Sequence, residues 1–226
     1  TPVRTLPPAR PAAPGTLWIV DRPGADQSVI FAGQTVPARA DTDEFALQML
    51  NNVLGGQASA RINMNLREDK HWAYGAYPVL LAARGERPYF AYAPVQTDRT
   101  ADALKEIKAE LAGIVGQRPV DAKELGRVQR TEVLGLPGRW ETSGAVAGAL
   151  VESVRYDLPA DYWPRYAGAV EAVTLEGMRT VAAAPQQPGR PGWGGGGDRA
   201  EIEPGLRALG FTTINTIDAD GVPVAP

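Results

Sequence analysis

The sequence predicts an α+β fold, with helices packed on one face of a largely antiparallel sheet. Two observations carry this. Segments with strand character come in adjacent pairs and do not alternate one by one with helices, which argues against a doubly wound parallel sheet. The segments between those pairs show single apolar stripes at helical spacing, as expected of helices that bury one side. Size and composition agree: 226 residues, 44% hydrophobic and 22% charged, suit one large domain or two small ones with a real core.

Residues 1–16 are rich in proline and lack periodic apolar positions, which predicts an extended linker ahead of a folded domain over 17–226. The start has neither an initiating Met nor a basic-then-apolar leader and reads as a cut end of a longer polypeptide. Leu17–Val20 and Ser28–Ala32 read as strands around the turn Asp21-Arg22-Pro23-Gly24. A helix is predicted from Asp41, with Glu44 completing a capping box and Phe45, Met49, Val53, Leu50 and Leu54 forming its stripe; Gly55-Gly56 ends it. A shorter helix runs through Ala60 and Ile62 to Leu66. Trp72–Ala82 and Tyr89–Val95 read as two long strands joined by Arg84-Gly85-Glu86-Arg87. Leu104, Ile107, Leu111 and Ile114 define the next helix, closed by Gly116 and Pro119. Asp121 and Glu124 cap another, with Leu125 and Val128 on its stripe. The small apolar stretch 142–156 suits a close-packed helix, Thr174–Ala183 a further helix, and Ile214–Ile217 a final strand.

Composition excludes several function classes. There is no cysteine, so no disulfide, thiolate nucleophile or Cys-based metal site. His71 is the single histidine, too few for a zinc site built on H-x-x-E-H or H-E-x-x-H, and any Ser-His-Asp triad would have to use it. In its polar connection it reads as a solvated loop residue. A net charge of −3 gives no footprint for nucleic acid, and no apolar run approaches the roughly 18 residues of a membrane span. Gly192–Gly197 formally matches G-x-G-x-x-G, but Pro185, Pro188 and Pro191 precede it where a strand would be required. The run is therefore read as a loop and not as a cofactor fingerprint.

Arg67 and Tyr74 stand out as a pair. Arg67 falls at the polar end of the short helix and Tyr74 in the first turns of the following strand, with Glu68-Asp69-Lys70-His71 between them. A guanidinium and a phenol on rigid elements can both donate hydrogen bonds to one carbonyl or oxyanion. Spacing alone equally allows Arg67 to pair with Glu68 or Asp69 and Tyr74 to be an ordinary strand aromatic. Gly55-Gly56 could present backbone N–H groups to an anion, though such a pair more often just breaks a helix.

The runs Leu54-Gly55-Gly56-Gln57-Ala58-Ser59-Ala60-Arg61, Asn65-Leu66-Arg67-Glu68 and Ala73-Tyr74-Gly75 resemble the carboxy-terminal half of the insulinase/pitrilysin family of zinc peptidases. Val20–Ser28 and Ile217–Gly221 resemble its opening strand and closing turn. The resemblance implies two homologous α+β halves closing around a chamber. The zinc, held by H-x-x-E-H plus a distal Glu, would sit in the amino-terminal half, attached in the same polypeptide or supplied by a separate subunit. This chain would be the non-catalytic half, with no metal of its own. Its Arg67 and Tyr74 would bind peptide substrate, and Tyr74 would stabilise the oxyanion at the partner's zinc. The alternative is a structural or assembly subunit that kept the fold and lost the peptidase work, as respiratory-complex core proteins did. Exported relatives of this type make a periplasmic or exported location the expectation. One departure stands out: the family has an apolar strand ending in Gly-Asp where this chain has Gly192–Gly197. The run is expected to be a frayed strand, or valine codons read one base out of frame.

Overall fold

The computed structural model describes Ala13 and residues 15–184 and 192–224. The proline-rich stretch expected over 1–16 lies outside these residues apart from Ala13, Gly15 and Thr16, and Thr16 already opens the first strand. The six strands are β1 (Thr16–Asp21), β2 (Gln27–Val36), β3 (Tyr77–Leu80), β4 (Arg87–Gln96), β5 (Gly192–Gly197) and β6 (Thr213–Ile217). The helices are α1 (Glu44–Leu54), α2 (Arg61–Asn63), which runs on into a π-helical turn over Met64–Asp69, α3 (Thr100–Val115), α4 (Ala122–Gly135), α5 (Ser143–Tyr156), α6 (Tyr162–Glu171), α7 (Leu175–Ala183) and α8 (Arg199–Ala208).

The strands form one sheet in the order β3-β4-β2-β5-β1-β6. The β3–β4, β4–β2 and β2–β5 pairs are antiparallel, whereas β5–β1 and β1–β6 are parallel. The α+β class holds, and the sheet is mixed with an antiparallel majority. Side chains alternate across it as a strand's period of two requires. Leu17, Ile19, Ile30, Ala32, Ala91, Ala93 and Val95 are buried toward the helices, while Trp18 and Phe31 between them are exposed on the other face. Met49, Leu50, Val53 and Leu54 of α1 and Leu104, Ile107 and Ile114 of α3 complete the core from the helix side.

Several expectations are corrected. β1 and β2 flank the 21–24 turn but do not pair, because β5 lies between them. Gly192–Gly197, read as a loop, is a central strand. It is neither frayed nor a place for valines throughout: a Cβ on Gly195 would overlap the Val29 carbonyl, and one on Gly197 would overlap the Ser28 hydroxyl. The run permits a close approach of β5 to β2 that side chains on the helix face would forbid. The long strand expected over Trp72–Ala82 is only Tyr77–Leu80, with Ala73 making a lone bridge to Val95. Pro78, which lacks an N–H, fits the sheet edge where β3 lies.

The first helix starts at Glu44 and not Asp41, and the Glu44 carboxylate caps nothing. It is buried against the guanidiniums of Arg87 and Arg39, a stronger demand on a carboxylate than a free backbone N–H. Helices α6 and α8 have no counterpart in the sequence reading, and each contains a proline. Pro164 falls in the first turn of α6, where its missing N–H costs nothing, and Pro204 lies inside α8, which persists because Ile202 and Leu206 are buried on its inner side. The stretch 142–156 is helical as expected but not close-packed: Leu150, Val151 and Val154 of α5 face outward. The capping box at Asp121 and Glu124 forms as read.

Candidate functional site

Arg67 is placed by the π-helical turn that prolongs α2. Ile62 and Leu66 hold the inner side of this helix in the core. Its polar flank is tied to α3: the Asn65 amide donates to Glu106 at 2.9 Å and Glu110 at 3.0 Å, and Lys70 pairs with Glu106 at 3.7 Å. The wide turn closes where the Lys70 N–H donates to the Asn65 carbonyl, five residues back, at 3.2 Å.

His71 then reverses the chain. Its φ of 57° is left-handed, uncommon for a residue with a side chain. Its exposed ring donates from Nδ1 to the Arg67 carbonyl at 3.0 Å. The Trp72 and Ala73 N–H groups both donate to the Leu66 carbonyl, and the Gln96 N–H donates to the Trp72 carbonyl at 3.1 Å. The sequence reading of His71 as an exposed connection residue stands, and the connection is well anchored at both ends.

Tyr74 does not lie in a strand, as the sequence predicted, but in the bend between Ala73 and β3. Asn63, which sequence reasoning did not single out, and Gly55, which it read as a helix end or an anion site, fix this bend. Asn63, 5% exposed, donates to the Ala58 carbonyl at 2.7 Å and accepts from the Ala76 N–H at 3.3 Å. A polar residue beside Ile62 on the buried side of a short helix was the available signal. Gly55 lets β3 pass over the end of α1, since a Cβ there would overlap the Pro78 ring and sit 2.9 Å from the Tyr77 Cα. Gly55-Gly56 thus serves helix termination and packing; both N–H groups donate to the Asn51 carbonyl.

The result is a guanidinium stacked on a phenol. The Arg67 Cζ lies 5.5 Å from the centroid of the Tyr74 ring. Arg67 also pairs with Glu68 at 3.3 Å, one of the ion pairs that spacing allowed. Tyr74 is 89% exposed. An exposed cation–π contact contributes only about 0.5–1 kcal/mol, and an exposed ion pair about 0–1 kcal/mol. Stability does not account for presenting this tyrosine to solvent. Chemically, the pair offers one phenolic O–H and the N–H groups of a planar guanidinium side by side.

Other candidates do not assemble. Among the described residues no group of three or more His, Asp or Glu side chains is placed to hold a metal ion, so this chain's residues do not fit the zinc that the family implies. The helix start after Gly192–Gly197 is occupied by the chain itself. Asp198 accepts from the Gly24 N–H at 2.7 Å and from the Ala200 N–H at 3.0 Å, and these bonds, Gly24 foremost, hold its carboxyl below the usual carboxylate range. An anion would compete with that carboxylate. No helix among the described residues is long and apolar enough to cross a membrane.

An α+β domain with an outward Arg/Tyr pair and no metal cluster among its described residues is the class that fold and site define. The family model described as the peptidase M16 inactive domain matches residues 2–132, which include both Arg67 and Tyr74. The chain belongs to that family. The crystal structure of a peptidase M16 inactive domain from Pseudomonas fluorescens superposes with a TM-score of 0.73 at 20% identity, over 80% of this chain and 43% of that one, and shows the same fold. An uncharacterized zinc protease of Mycobacterium leprae is 29% identical over 99 residues, covering 44% of this chain and 22% of the relative. One of Streptomyces coelicolor is 27% identical over 144 residues, covering 62% and 30% respectively. The chain spans less than a third of the length of these curated relatives.

Proposed function

We propose that this chain is the non-catalytic half of a two-half zinc metallopeptidase and that Arg67 and Tyr74 are its contribution to the substrate site. The observation that carries the reading is the presentation of the pair: Tyr74 is 89% exposed, yet it is fixed by a buried Asn63, a stacked guanidinium and an anchored turn. Such rigid exposure suits a group that meets something outside the chain. The Tyr74 phenol donates to the substrate carbonyl as negative charge develops on its oxygen, and the Arg67 fork donates to a neighbouring carbonyl of the peptide backbone. The zinc belongs to the homologous H-x-x-E-H half, joined in one polypeptide or supplied as a separate subunit. Peptides are the substrate class.

The test is to mix the chain with its H-x-x-E-H half and measure peptide hydrolysis. The chain alone is inactive, the mixture is active, and Tyr74→Phe lowers kcat by about 10²–10³, the usual loss for one oxyanion donor. An unchanged kcat, or cleavage by the lone chain, overturns the proposal. A second reading, a structural or assembly subunit of this fold, is favoured by the outward apolar face of α5, where Leu150, Val151 and Val154 lie exposed. That reading requires Tyr74→Phe to leave both assembly and activity unaffected.

A further inference from the structure

The sheet registers align one residue from each strand in a single row across the face turned away from the described helices. Tyr77 of β3 is opposite Tyr92 of β4, Tyr92 is opposite Phe31 of β2, Phe31 is opposite Gly194 of β5, Gly194 is opposite Trp18 of β1, and Trp18 is opposite Asn215 of β6. The first three rings are in contact, with centroids 5.4 Å apart for Tyr77 and Tyr92 and 5.5 Å for Tyr92 and Phe31. Phe31 and Trp18 remain 39% and 38% exposed. Between them the row is interrupted by glycine, and among the described residues a Cβ on Gly194 would meet within 4 Å only the Trp18 carbonyl at 3.5 Å, and one on Gly196 only Val20, at 3.6 Å and 3.8 Å.

The notch has the dimensions of an aromatic ring. Its walls stand on strands two steps apart, which sets them about 9.6 Å from each other. A ring seated midway lies about 4.8 Å from each wall, inside the 4.5–7 Å range of favourable aromatic pairs. The floor is peptide backbone already paired to both neighbouring strands, so it offers no free polar group to a hydroxyl or a charge. The row ends three residues along the chain from Tyr74. Tyr77, its outermost ring, reaches within 4.0 Å of the Cβ position on Gly75, the residue next to Tyr74.

We infer that the notch over Gly194, between Phe31 and Trp18, is a subsite for an aromatic side chain of an extended peptide whose backbone is held at Arg67 and Tyr74. This inference rests on the peptidase-half reading and adds a substrate preference to it. The glycine run is then functional as well as architectural: the helix-facing glycines bring β5 close to β2, and the outward ones keep the notch open.

The experiment is an NMR titration of the full chain, at fixed protein concentration, with two capped glycine-rich pentapeptides, one carrying a central phenylalanine and the other a central alanine. The phenylalanine peptide shifts the Gly194 and Gly196 amides and the Trp18 indole N–H, and the alanine peptide does not. Gly194→Val places its Cβ at ordinary contact distance from the Trp18 carbonyl and its methyls in the notch, so it keeps the wild-type spectrum elsewhere and weakens the phenylalanine peptide by about tenfold or more. Trp18→Ala, which removes one wall, weakens it too. Equal shifts with both peptides, shifts elsewhere only, or undiminished binding by Gly194→Val overturn the subsite. So do shifts of these signals with protein concentration alone, which would mean that a second copy covers the face. Because binding is read on this chain by itself, failure here is separable from failure of Tyr74→Phe to lower the activity of the assembled halves.

Discussion

Arg87 enters the sheet at the first residue of β4 with its guanidinium wholly buried, and everything around it is arranged to keep that charge. Its Nε donates to the Pro37 carbonyl at 2.8 Å, one Nη to the Leu81 carbonyl at 3.2 Å, and the other pairs with Glu44. Glu44 also holds Arg39 at 2.9 Å, and Arg39 reaches Glu152 at 3.0 Å and the Tyr162 hydroxyl at 2.7 Å. Burial works against the Arg39 charge, but Glu44, Tyr162 and Glu152 together raise its pKa above the ordinary value. Replacing Glu44 by Gln leaves the buried Arg87 guanidinium without its counter-charge and Arg39 with Glu152 alone, and unfolding in urea should show a loss of about 3–5 kcal/mol. The contrast with Arg67 is instructive. Arg67 is half exposed and makes only surface contacts, so Arg67→Ala should leave the urea midpoint within experimental scatter. In the proposed two-half peptidase, where Arg67 is taken as a backbone-binding fork, the same variant should raise KM.

At the level of elements, β5 is the part whose chemistry is least like its role. A glycine strand loses packing and conformational entropy, about 0.5–1 kcal/mol per residue against alanine. The two faces of the strand should respond oppositely to substitution. Gly194→Ala adds a Cβ at ordinary contact distance on the open face and should stabilise the chain by about 0.4–1 kcal/mol. Gly195→Val drives a branched side chain into the Val29 carbonyl and must push β5 away from β2; denaturant titration should show a loss of about 3 kcal/mol, at the large end for single substitutions. Helix α4 gives a milder case. Asp121 accepts from the Glu124 N–H at 2.8 Å while Glu124 accepts from the Asp121 N–H at 3.1 Å. Asp121→Ala should therefore cost about 1 kcal/mol, the usual worth of an N-cap.

Across the whole molecule, carboxylates tie segments that are distant in sequence, and this sets the response to acid. The Glu124 carboxyl is pushed up by partial burial, yet the Arg61 guanidinium and the Asp121 N–H hold it below its ordinary value of 4.5. Within α8, Arg199 and Arg207 lower Glu203, and across the chain Gly24 lowers Asp198. A depressed folded-state pKa means that the stabilisation is present above the unfolded value and is lost as pH falls through the folded one. Stability should therefore hold above pH 4.5 and decline below it, and the decline should be shallower in Glu124→Gln, as thermal melts across that range would show. A chelator should leave the melting temperature of this chain unchanged while abolishing the hydrolysis proposed for the assembled halves.

The sequence by itself determined the elements whose signal is local. The stripe of α3, the capping box of α4 and the α+β class are set by spacing and by side chains within a few residues of one another. It also identified the Arg67 and Tyr74 pair and the poverty in metal ligands. Tertiary structure decided everything that depends on a distant neighbour. Glu44 serves Arg87, 43 residues away, and not the helix start beside it. Gly192–Gly197 becomes a central strand because β1 and β2 supply ladders on both sides, which outweigh its weak intrinsic preference. Tyr74 leaves the strand because the buried Asn63 holds the following backbone in a bend. Local propensity amounts to a few tenths of a kcal/mol per residue, and burial or a second hydrogen-bonded strand readily overrules it.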